Sequence, residues 1–410
     1  MTTENKKPLS AKQWQLIALL FAIALINYFD RQSLSVVAPR MQAELHLSDA
    51  GYAHIISIFL FASAVAYGVS GFISDWLGTR ASMALFVGWW SVAEAATAFA
   101  RSSLLLGIAR FSLGLGEPGL WVAAPKAVGE VIPKERRGIA IGIYTMGATV
   151  GAIVALPVIV AVTTNFPWRS IFLLDGLAGL LCVPVWMWVY RGSSNSVHSE
   201  TSDAASVREV IAWSPTWKLL IARSLTDPVW YFLLFWFPKY LNSARHMPMQ
   251  SVAKIGWVVY LGAGIGTLCG GLISDALIRR KLQPGIAYRW TMLGAAVLIP
   301  LSPLAALAPN AAISVGIAAL IAMAHLIWLV TLTAVLVELY PSAQLGKAAG
   351  LIAMGSGFGG MLSSELVGYI VTHNGYTPVF WLMALLHPIA ITLLWPVYTK
   401  KFGNRALEAA

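Results

Sequence analysis

Long apolar stretches dominate this 410-residue chain and leave few folds open to it. A helix that crosses a bilayer needs about 20 mostly apolar residues. Breaks rich in charged or turn-forming residues divide this chain into twelve stretches of that kind. They lie near residues 13–38, 49–74, 80–100, 103–128, 136–162, 168–190, 216–241, 251–277, 286–307, 310–336, 346–371 and 376–398. The pattern predicts an all-α membrane protein with twelve transmembrane helices.

Composition excludes the soluble alternatives. Charged residues make up only 11% of the chain and hydrophobic residues 58%, whereas soluble domains carry roughly 25% charged residues. Disordered chains combine low hydrophobicity with high charge, which is the opposite of this sequence. The two cysteines lie inside apolar stretches, so no disulfide framework is predicted. The polar N-terminus runs directly into the first apolar stretch without a small-residue cleavage site, which favours an uncleaved first span.

A polar, serine-rich segment divides the chain into two similar parts. Residues 191–216 contain the sequence SSNSVHSETSDAASVREV, which is poor in apolar residues. We predict a six-helix N-terminal bundle over residues 1–190, a cytoplasmic linker over 191–216 with a short surface helix at its end, and a six-helix C-terminal bundle over 217–410.

The distribution of lysine and arginine predicts the orientation. If both termini are cytoplasmic, eighteen of the 28 basic residues lie on the cytoplasmic side and six on the outside, and the remaining four fall within the predicted spans. Cytoplasmic loops of membrane proteins are enriched in basic residues. The net charge of +10 is therefore explained mainly by topology, and a nucleic-acid partner is not needed.

A short motif recurs after a separation of 200 residues. The first copy reads Gly71-Phe-Ile-Ser-Asp75-Trp-Leu-Gly78-Thr-Arg80, and the second reads Gly271-Leu-Ile-Ser-Asp275-Ala-Leu-Ile-Arg279. Both follow the second span of their half, which suggests duplicated halves, as in secondary transporters. Glycine permits a tight reversal of the chain. The carboxylate and arginine are expected to pair with helix termini of the other half and to latch a gate.

Several ionisable residues fall inside the predicted spans, where they are costly and usually functional. Asp30 and Arg31 lie in the first span, and Arg110 lies at a similar depth in the fourth. Glu117 follows Arg110 by seven residues, so both are expected on one side of the helix. Pro118 comes next and is expected to break the helix. Structural ion pairs that fix helix packing are the alternative reading of these charges.

These motifs together resemble the major facilitator superfamily. The loop motif resembles the superfamily's loop signature, and the segment RFSLGLGEP from Arg110 to Pro118 is similar to the fourth helix of its anion:cation symporter family. Tyr28-Phe-Asp-Arg31 resembles the first-helix motif of bacterial sugar-acid transporters. The segment Arg223-Ser-Leu-Thr-Asp227-Pro-Val-Trp230 in the seventh span and Ala324-His325 in the tenth resemble hexuronate and galactonate:proton symporters.

The resemblance implies roles for individual residues. Asp30 and Glu117 would carry the coupling protons, and arginines would hold the substrate carboxylate, which guanidinium groups can bind bidentately. Lys126 belongs either to the exit path or to the surface, where it would snorkel. Tryptophans are suited to lining a sugar face. The residues predicted to bind substrate are Tyr28, Arg31, Arg110, Trp121, Lys126, Arg223, Asp227, Trp230 and His325, and the gate residues are Gly71, Asp75, Gly78, Arg80, Asp275 and Arg279.

The predicted function is proton-coupled import of an organic anion, in particular a hexuronate or aldonate, by alternating access. Proton-coupled export of a drug or small metabolite is the alternative, although Gly147-Ala-Thr-Val-Gly151-Ala-Ile-Val lacks the proline expected of antiporters. An enzyme is disfavoured because no H-E-x-x-H, cysteine pair or G-x-S-x-G occurs at a plausible site. We expect a monomer in a bacterial inner membrane, with no cofactor apart from the proton and no metal.

Overall fold

The computed structural model describes residues 9–133, 136–191 and 204–408, and every regular element in these ranges is helical. Sixteen α-helices follow one another, with a π-helix at Phe232–Trp236 and a 3₁₀-helix at Ile299–Leu301. The α-helices are α1 Ala11–Leu45, α2 Asp49–Thr97, α3 Ser103–Gly116, α4 Pro118–Val131, α5 Arg137–Asn165, α6 Arg169–Val189, α7 Ala204–Ala212, α8 Ser214–Tyr231, α9 Phe237–Ser243, α10 Met249–Ile255, α11 Val258–Arg279, α12 Pro284–Leu298, α13 Pro303–Leu307, α14 Ala311–Leu339, α15 Ser342–Asn374 and α16 Thr377–Glu408.

These helices account for the twelve predicted spans. Within the described residues, eight helical stretches are long and apolar enough to cross a membrane. One of them, α2, has 49 residues, about 73 Å at 1.5 Å per residue, which is enough for two crossings of a core about 30 Å thick. Three further crossings are supplied by α3 with α4, by α8 with the π-helix and α9, and by the glycine-rich α15. The predicted all-α, twelve-span fold is confirmed.

Sequence signals explain where the chain turns and where helices break. Ser10, Ser48, Ser102 and Asn310 each accept a backbone N–H at a helix start, as N-cap residues do. Gly78 divides α2 with φ 75° and ψ 161°, a conformation that glycine adopts without steric cost.

The seventh span is interrupted rather than continuous. The Phe237 N–H bonds to the carbonyl of Phe232, five residues earlier, which widens the helix at Phe232–Trp236. Pro238 follows at once and has no N–H to donate back to the preceding turn. π-Helical turns of this kind often occur at functional sites.

A short helix lies at the end of the predicted linker. This is α7, and Thr216 Oγ1 donates 2.6 Å to the carbonyl of Val210 within it, while the Trp213 ring meets the edge of Tyr340. Residues 192–203 lie outside the described residues. The division of the chain into bundles at residues 190 and 217 stays a prediction.

Close helix contacts repeat in the two halves. A side chain at Gly147 or Gly151 on α5 would overlap the carbonyls of Phe21 and Leu25 on α1. In the second half, Gly355 and Gly359 on α15 approach the carbonyls of Leu220 and Ser224 on α8 in the same manner. The fifth span therefore packs on the first as the eleventh packs on the seventh, through small residues that let backbones touch. This repetition is the internal pseudo-symmetry that the duplicated motif predicts.

The two ends of the bundle differ. We call the end that carries α7 and the loops at 75–82 and 279–284 the linker end, and the opposite end the far end. At the far end, side-chain contacts among the described residues join the halves, and three of them are polar contacts near the helix ends. Tyr52 Oη donates 2.7 Å to the carbonyl of Phe235, Lys239 pairs with Asp49, and His54 lies 3.0 Å from Glu365.

Substitution of Gly151 tests the close packing of α1 on α5. Gly151→Leu is expected to lower the free energy of unfolding by about 1–3 kcal/mol, because the new side chain meets the Leu25 backbone, which cannot move aside. Gly142→Leu on the same helix is the control, since nothing lies within 4 Å of a Cβ there. Thermal unfolding of the purified protein in detergent measures both. Equal melting temperatures for the two variants would contradict the packing.

Candidate functional site

An ion pair between Arg31 and Glu117 lies at mid-depth in the N-terminal half. Arg31 Nε donates 2.6 Å to Glu117 Oε2, and the Glu117 side chain is fully buried. Glu117 is the residue between α3 and α4, and Pro118 begins α4. Glu117 keeps helical backbone angles, φ −56° and ψ −43°, and its N–H still bonds to the Leu113 carbonyl. The predicted break is therefore limited to the hydrogen bonding at Pro118, which has no N–H, and the Glu117 carboxylate lies opposite the guanidinium of α1.

Aromatic rings surround this pair on the linker side. The Arg31 guanidinium lies 5.4 Å from the centroid of the Tyr28 ring, and the Trp121 ring meets Tyr28 edge-on at 6.2 Å. A cation over an aromatic face is stabilised by the ring quadrupole. Tyr28 and Trp121 are both only partly buried, so their rings form part of a wall that solvent reaches.

The C-terminal half contributes a second polar cluster to the same region. Arg223 Nε donates 3.0 Å to Asp227 Oδ2 one turn along α8. Tyr231 lies 2.8 Å from Ser356 of α15, and Phe235, one turn later, lines the same small cavity as Arg31. The charged residues of α1 and α8 thus lie on facing surfaces of the two halves.

Histidine and tryptophan line the deeper part of this cluster. His325 stacks parallel to Trp230 with centroids 6.3 Å apart. Its Nδ1 lies 3.3 Å from Nε2 of His387, a residue for which the sequence suggested no role. Because both histidines are fully buried, one ring must donate to the other, and His387 fixes the orientation of His325.

The site is closed toward the far end. Arg31, Arg110 and Phe235, with Leu34, Ile56, Phe59 and Leu113, line a cavity of about 10 Å³, which holds at most one water. On the linker side of the Arg31–Glu117 pair, side chains of α1, α2, α4 and α8 remain partly exposed although they face the interior. They are Tyr28, Tyr67, Trp121, Lys126 and Arg223. The accessible side of the site is the linker side.

Arg110 shares its depth with Arg31, as predicted, but it has different partners. Its Nη2 donates 2.7 Å to Glu94 and 2.8 Å to Thr97, and its guanidinium lies over the Phe172 ring at 5.1 Å. Because these contacts occupy a guanidinium that is 2% exposed, Arg110 does not reach the accessible cavity in this conformation. Its role as a substrate ligand stays a prediction.

Two acids near Asp30 were missed by sequence reasoning. Glu94, which had no assigned role, and Asp175, which was not singled out, both lie beside Asp30 within one group of carboxyl oxygens. The rule that flags ionisable residues inside spans would have found both of them. The sequence alone does not show which sides of neighbouring helices pack against each other, so it could not place these acids together.

The loop motif makes its contacts within its own half. Lys126 Nζ donates 2.8 Å to Asp75 Oδ1 and 3.1 Å to the carbonyl of Ser74, and Arg80 donates 2.6 Å to the carbonyl of Met187 at the end of α6. The expected latch to helix termini of the other half is not formed in this conformation and stays a prediction. Lys126 lies with the gate motif, at the linker end of the site.

The two copies of the motif turn differently. Gly78 supplies a left-handed residue in the first copy, two residues before Arg80, whereas Gly71 has open space around it. In the second copy, which has Ile278 in place of the middle glycine, α11 continues through Asp275 to Arg279 and the left-handed residue is Lys281, with φ 64°. The absent glycine thus delays the turn.

A larger cavity of about 740 Å³ lies away from these residues, between the second part of α2 and α3. Its lining is almost entirely apolar and includes Leu85, Trp89, Phe99, Leu105 and Ile108. None of the predicted site residues lines it. These side chains are exposed, which is the expected surface of a helix that faces lipid.

Sequence comparison places the chain among transporters. A sequence model of the Major Facilitator Superfamily matches residues 20–364. The hexuronate transporter of Escherichia coli K12 is 24% identical over 408 residues, which cover 95% of this chain and 94% of the relative. The galacturonate transporter of Dickeya chrysanthemi is 26% identical, covering 63% and 80%, and the D-galactonate transporter of E. coli O6:H1 is 24% identical, covering 93% and 94%.

Solved structures share the fold. A bacterial homologue of the human lysosomal transporter Spinster, in an inward-facing and unoccupied conformation, superposes with a TM-score of 0.72 at 18% identity and covers 96% of this chain and 97% of that one. A D-xylose–proton symporter gives a TM-score of 0.72 at 15% identity, covering 93% and 97%.

The twelve-span fold, the repeated loop motif and the family match agree with one another. The chain is a multi-pass membrane protein of a transporter family rather than an enzyme, and the resemblance to hexuronate and galactonate transporters is confirmed by its relatives. The protein belongs to the Major Facilitator Superfamily.

Proposed function

We propose that this protein imports a sugar acid, a hexuronate or an aldonate, by proton symport. The observation that carries the proposal is the Arg31–Glu117 pair, whose linker side is lined by the partly exposed side chains of Tyr28, Trp121 and Arg223. The substrate is a small organic anion, the proton is the coupling ion, and a monomer contains the whole site.

The chemistry of the cavity fits a carboxylate on a polyhydroxyl chain. Arg31 and Arg223 provide guanidinium groups, which match carboxylate geometry. Tyr28, Trp121 and Trp230 supply rings with an apolar face and, in each, a polar N–H or O–H. A neutral sugar would leave the arginines without an added partner, so the site favours the acid.

Competition for Arg31 couples substrate to proton. Glu117 occupies the Arg31 Nε at 2.6 Å, and this buried carboxylate needs the guanidinium to offset its charge. When a proton neutralises Glu117, Arg31 becomes available to the substrate carboxylate. Substrate and proton then bind together, and departure of one favours departure of the other, as linkage requires.

Access alternates between the two ends. We place the linker end in the cytoplasm, as the lysine and arginine distribution predicts. The far-end contacts hold the present conformation closed to the outside: Asp49 pairs with Lys239, which also lies 5.0 Å from the Tyr52 ring centroid. Breaking these contacts and forming new ones at the linker end would expose Arg31 to the outside.

Replacement of Glu117 tests the coupling. In proteoliposomes under an imposed proton gradient, Glu117→Gln is expected to abolish accumulation of labelled galacturonate or galactonate while sparing exchange, because the amide resembles the protonated acid permanently. Glu209→Gln, at an exposed position on α7, is the control and should accumulate as the wild type does. Accumulation by Glu117→Gln would rule out its proton role, and efflux driven by inward proton flow would indicate the exporter instead.

Replacement of Arg31 tests the substrate carboxylate. Arg31→Lys keeps the charge but loses the bidentate fork, so the KM for the sugar acid should rise about 10- to 100-fold, as expected for loss of a charge-assisted hydrogen bond of about 1.5–3 kcal/mol. Arg101→Lys in an exposed loop is the control. In thermal-shift assays the wild type should be stabilised by galacturonate and not by galactose, which lacks the carboxylate. An equal shift with both sugars would contradict carboxylate recognition.

Removal of Lys239 tests the far-end closure. A Leu34→Cys reporter in a chain whose Cys182 and Cys269 are replaced by serine should react slowly with a membrane-impermeant thiol reagent, because Leu34 is buried beside Arg31. Adding Lys239→Met should speed labelling from the far side several-fold, since it removes the ion pair with Asp49. Arg245→Met, within the same half, is the control. Unchanged labelling in Lys239→Met would show that this pair does not hold the closure.

A further inference from the structure

Three carboxyl side chains meet in the interior of the N-terminal half. Asp30 of α1, Glu94 of α2 and Asp175 of α6 each place an oxygen so that all three oxygens lie within 4.8 Å of one another. The residues are 1%, 0% and 6% exposed, respectively. The carboxyl oxygens of Asp30 and Asp175 therefore face each other within 4.8 Å, a separation that a small movement of either side chain would close to hydrogen-bond distance.

The positive charge beside this group is too small for three carboxylates. Among the residues that the structure describes, Arg110 is the only cation in an ion pair with the group, and it contacts Glu94. Both oxygens of Asp30 and Oδ2 of Asp175 are buried and have no N–H or O–H donor in the described residues. Burying an ionised carboxylate without such a partner is costly, and two facing carboxylates cannot both stay charged.

We propose that Asp30 and Asp175 share one proton, so that Asp175 is a second proton-binding residue of the transport cycle. A carboxyl-to-carboxyl hydrogen bond exists only if one of the two groups supplies the hydrogen. This inference rests on the proposed proton symport and adds to it: the proton on Asp30 is held between α1 and α6, away from the substrate cavity. The Glu94–Arg110 pair orients the group and is not itself the carrier.

A proton fits this group better than a metal ion. The guanidinium of Arg110 repels a cation, and it occupies one of the Glu94 oxygens that a metal would use. The three carboxyl groups hold six oxygens, and the five that Arg110 leaves free are fewer than the six to eight oxygen ligands that Ca²⁺ takes. A proton needs only the two facing oxygens of Asp30 and Asp175.

The shared proton is linked to the substrate site through α1. Asp30 faces α6, and its neighbour Arg31 faces Glu117, so both sites depend on the position of the same helical turn. The charged and titratable groups that face Asp30 are Glu94, Arg110, Glu117 and Asp175. Loss of the shared proton would leave two carboxylates in contact across α1 and α6, and their repulsion would displace α1 relative to α6.

The first test is the pH dependence of unfolding in detergent, which needs no transport. The folded wild type holds a proton that the unfolded chain has released at neutral pH, so its melting temperature should fall as pH rises. In Asp175→Asn the amide donates to Asp30 without a proton, and the fall should be smaller. Asp30→Asn should show the same reduction, and the double variant should show no further reduction, because a single proton is removed in each case.

Matched variants separate this outcome from structural effects. Asp175→Glu retains a carboxyl group, so its melting temperature should fall with rising pH at the wild-type slope. Glu209→Gln, exposed on α7, should show the same slope. An unchanged slope in Asp175→Asn would overturn the proposal, as would a double variant that loses twice the slope of either single variant. Stabilisation of the wild type by sodium or calcium ions, lost in Asp175→Asn, would identify a metal site instead.

The second test is transport in proteoliposomes. Asp175→Asn should still exchange labelled sugar acid, but the pH dependence of its exchange rate should differ from that of the wild type. Its accumulation at a fixed proton gradient should fall at least tenfold. If the wild type itself transports without a proton gradient, the proposed symport fails while the unfolding data still decide the shared proton. If the wild type is proton-coupled and Asp175→Asn shows the wild-type pH profile and accumulation, the proposed role of Asp175 is overturned, because Asp30 then acts without it.

Discussion

The cost of burying charge in a low-dielectric interior governs this molecule. Four acids and two arginines lie buried at mid-depth in the N-terminal half: Asp30, Glu94, Glu117, Asp175, Arg31 and Arg110. Each arginine takes one acid as its partner, at 2.6 Å and 2.7 Å. The two remaining acids, Asp30 and Asp175, have no cation in an ion pair with them among the described residues, and the proton that we propose they share would relieve their mutual repulsion. This excess of buried acids over buried arginines is the feature on which the proposed proton binding depends.

The rigid parts and the moving parts of the fold use different contacts. Within each half, glycines on the fifth and eleventh spans bring backbones together, and such contacts tolerate little change. Between the halves at the far end, the contacts are a few side-chain pairs such as Asp49 with Lys239. Side-chain pairs can exchange partners at small cost compared with backbone packing. The halves are thus suited to move as bodies, with the central polar cluster between them.

The depth of each charged residue in the bundle could be predicted from the sequence, whereas the residues that it contacts could not, for a physical reason. A helix rises 1.5 Å per residue, so counting from the span ends placed Asp30, Arg31 and Arg110 at one level, and Pro118 and Gly78 marked real breaks. Which residues touch depends on how each helix is rotated about its axis and on the conformation of the whole bundle. For this reason the sequence did not predict that Arg110 pairs with Glu94, which had no assigned role. Nor did it predict that Asp75 contacts Lys126 of its own half rather than the other half.

The excess of buried acids over buried arginines also bears on the energetics of the proposed import. Moving one anion into a cell that is negative inside costs about 2.3 kcal/mol per 100 mV. In the proposed symport, one proton carried on Glu117 would cancel that charge, and the pH difference and the substrate gradient alone would drive the step. If the proton that we propose Asp30 and Asp175 share were also transported, two protons and one anion would move one net positive charge inward, and the membrane potential would add to the driving force. Whether one or both carboxyl sites release their protons in each cycle therefore determines how far the substrate can be concentrated, and α1 is the element through which both sites act.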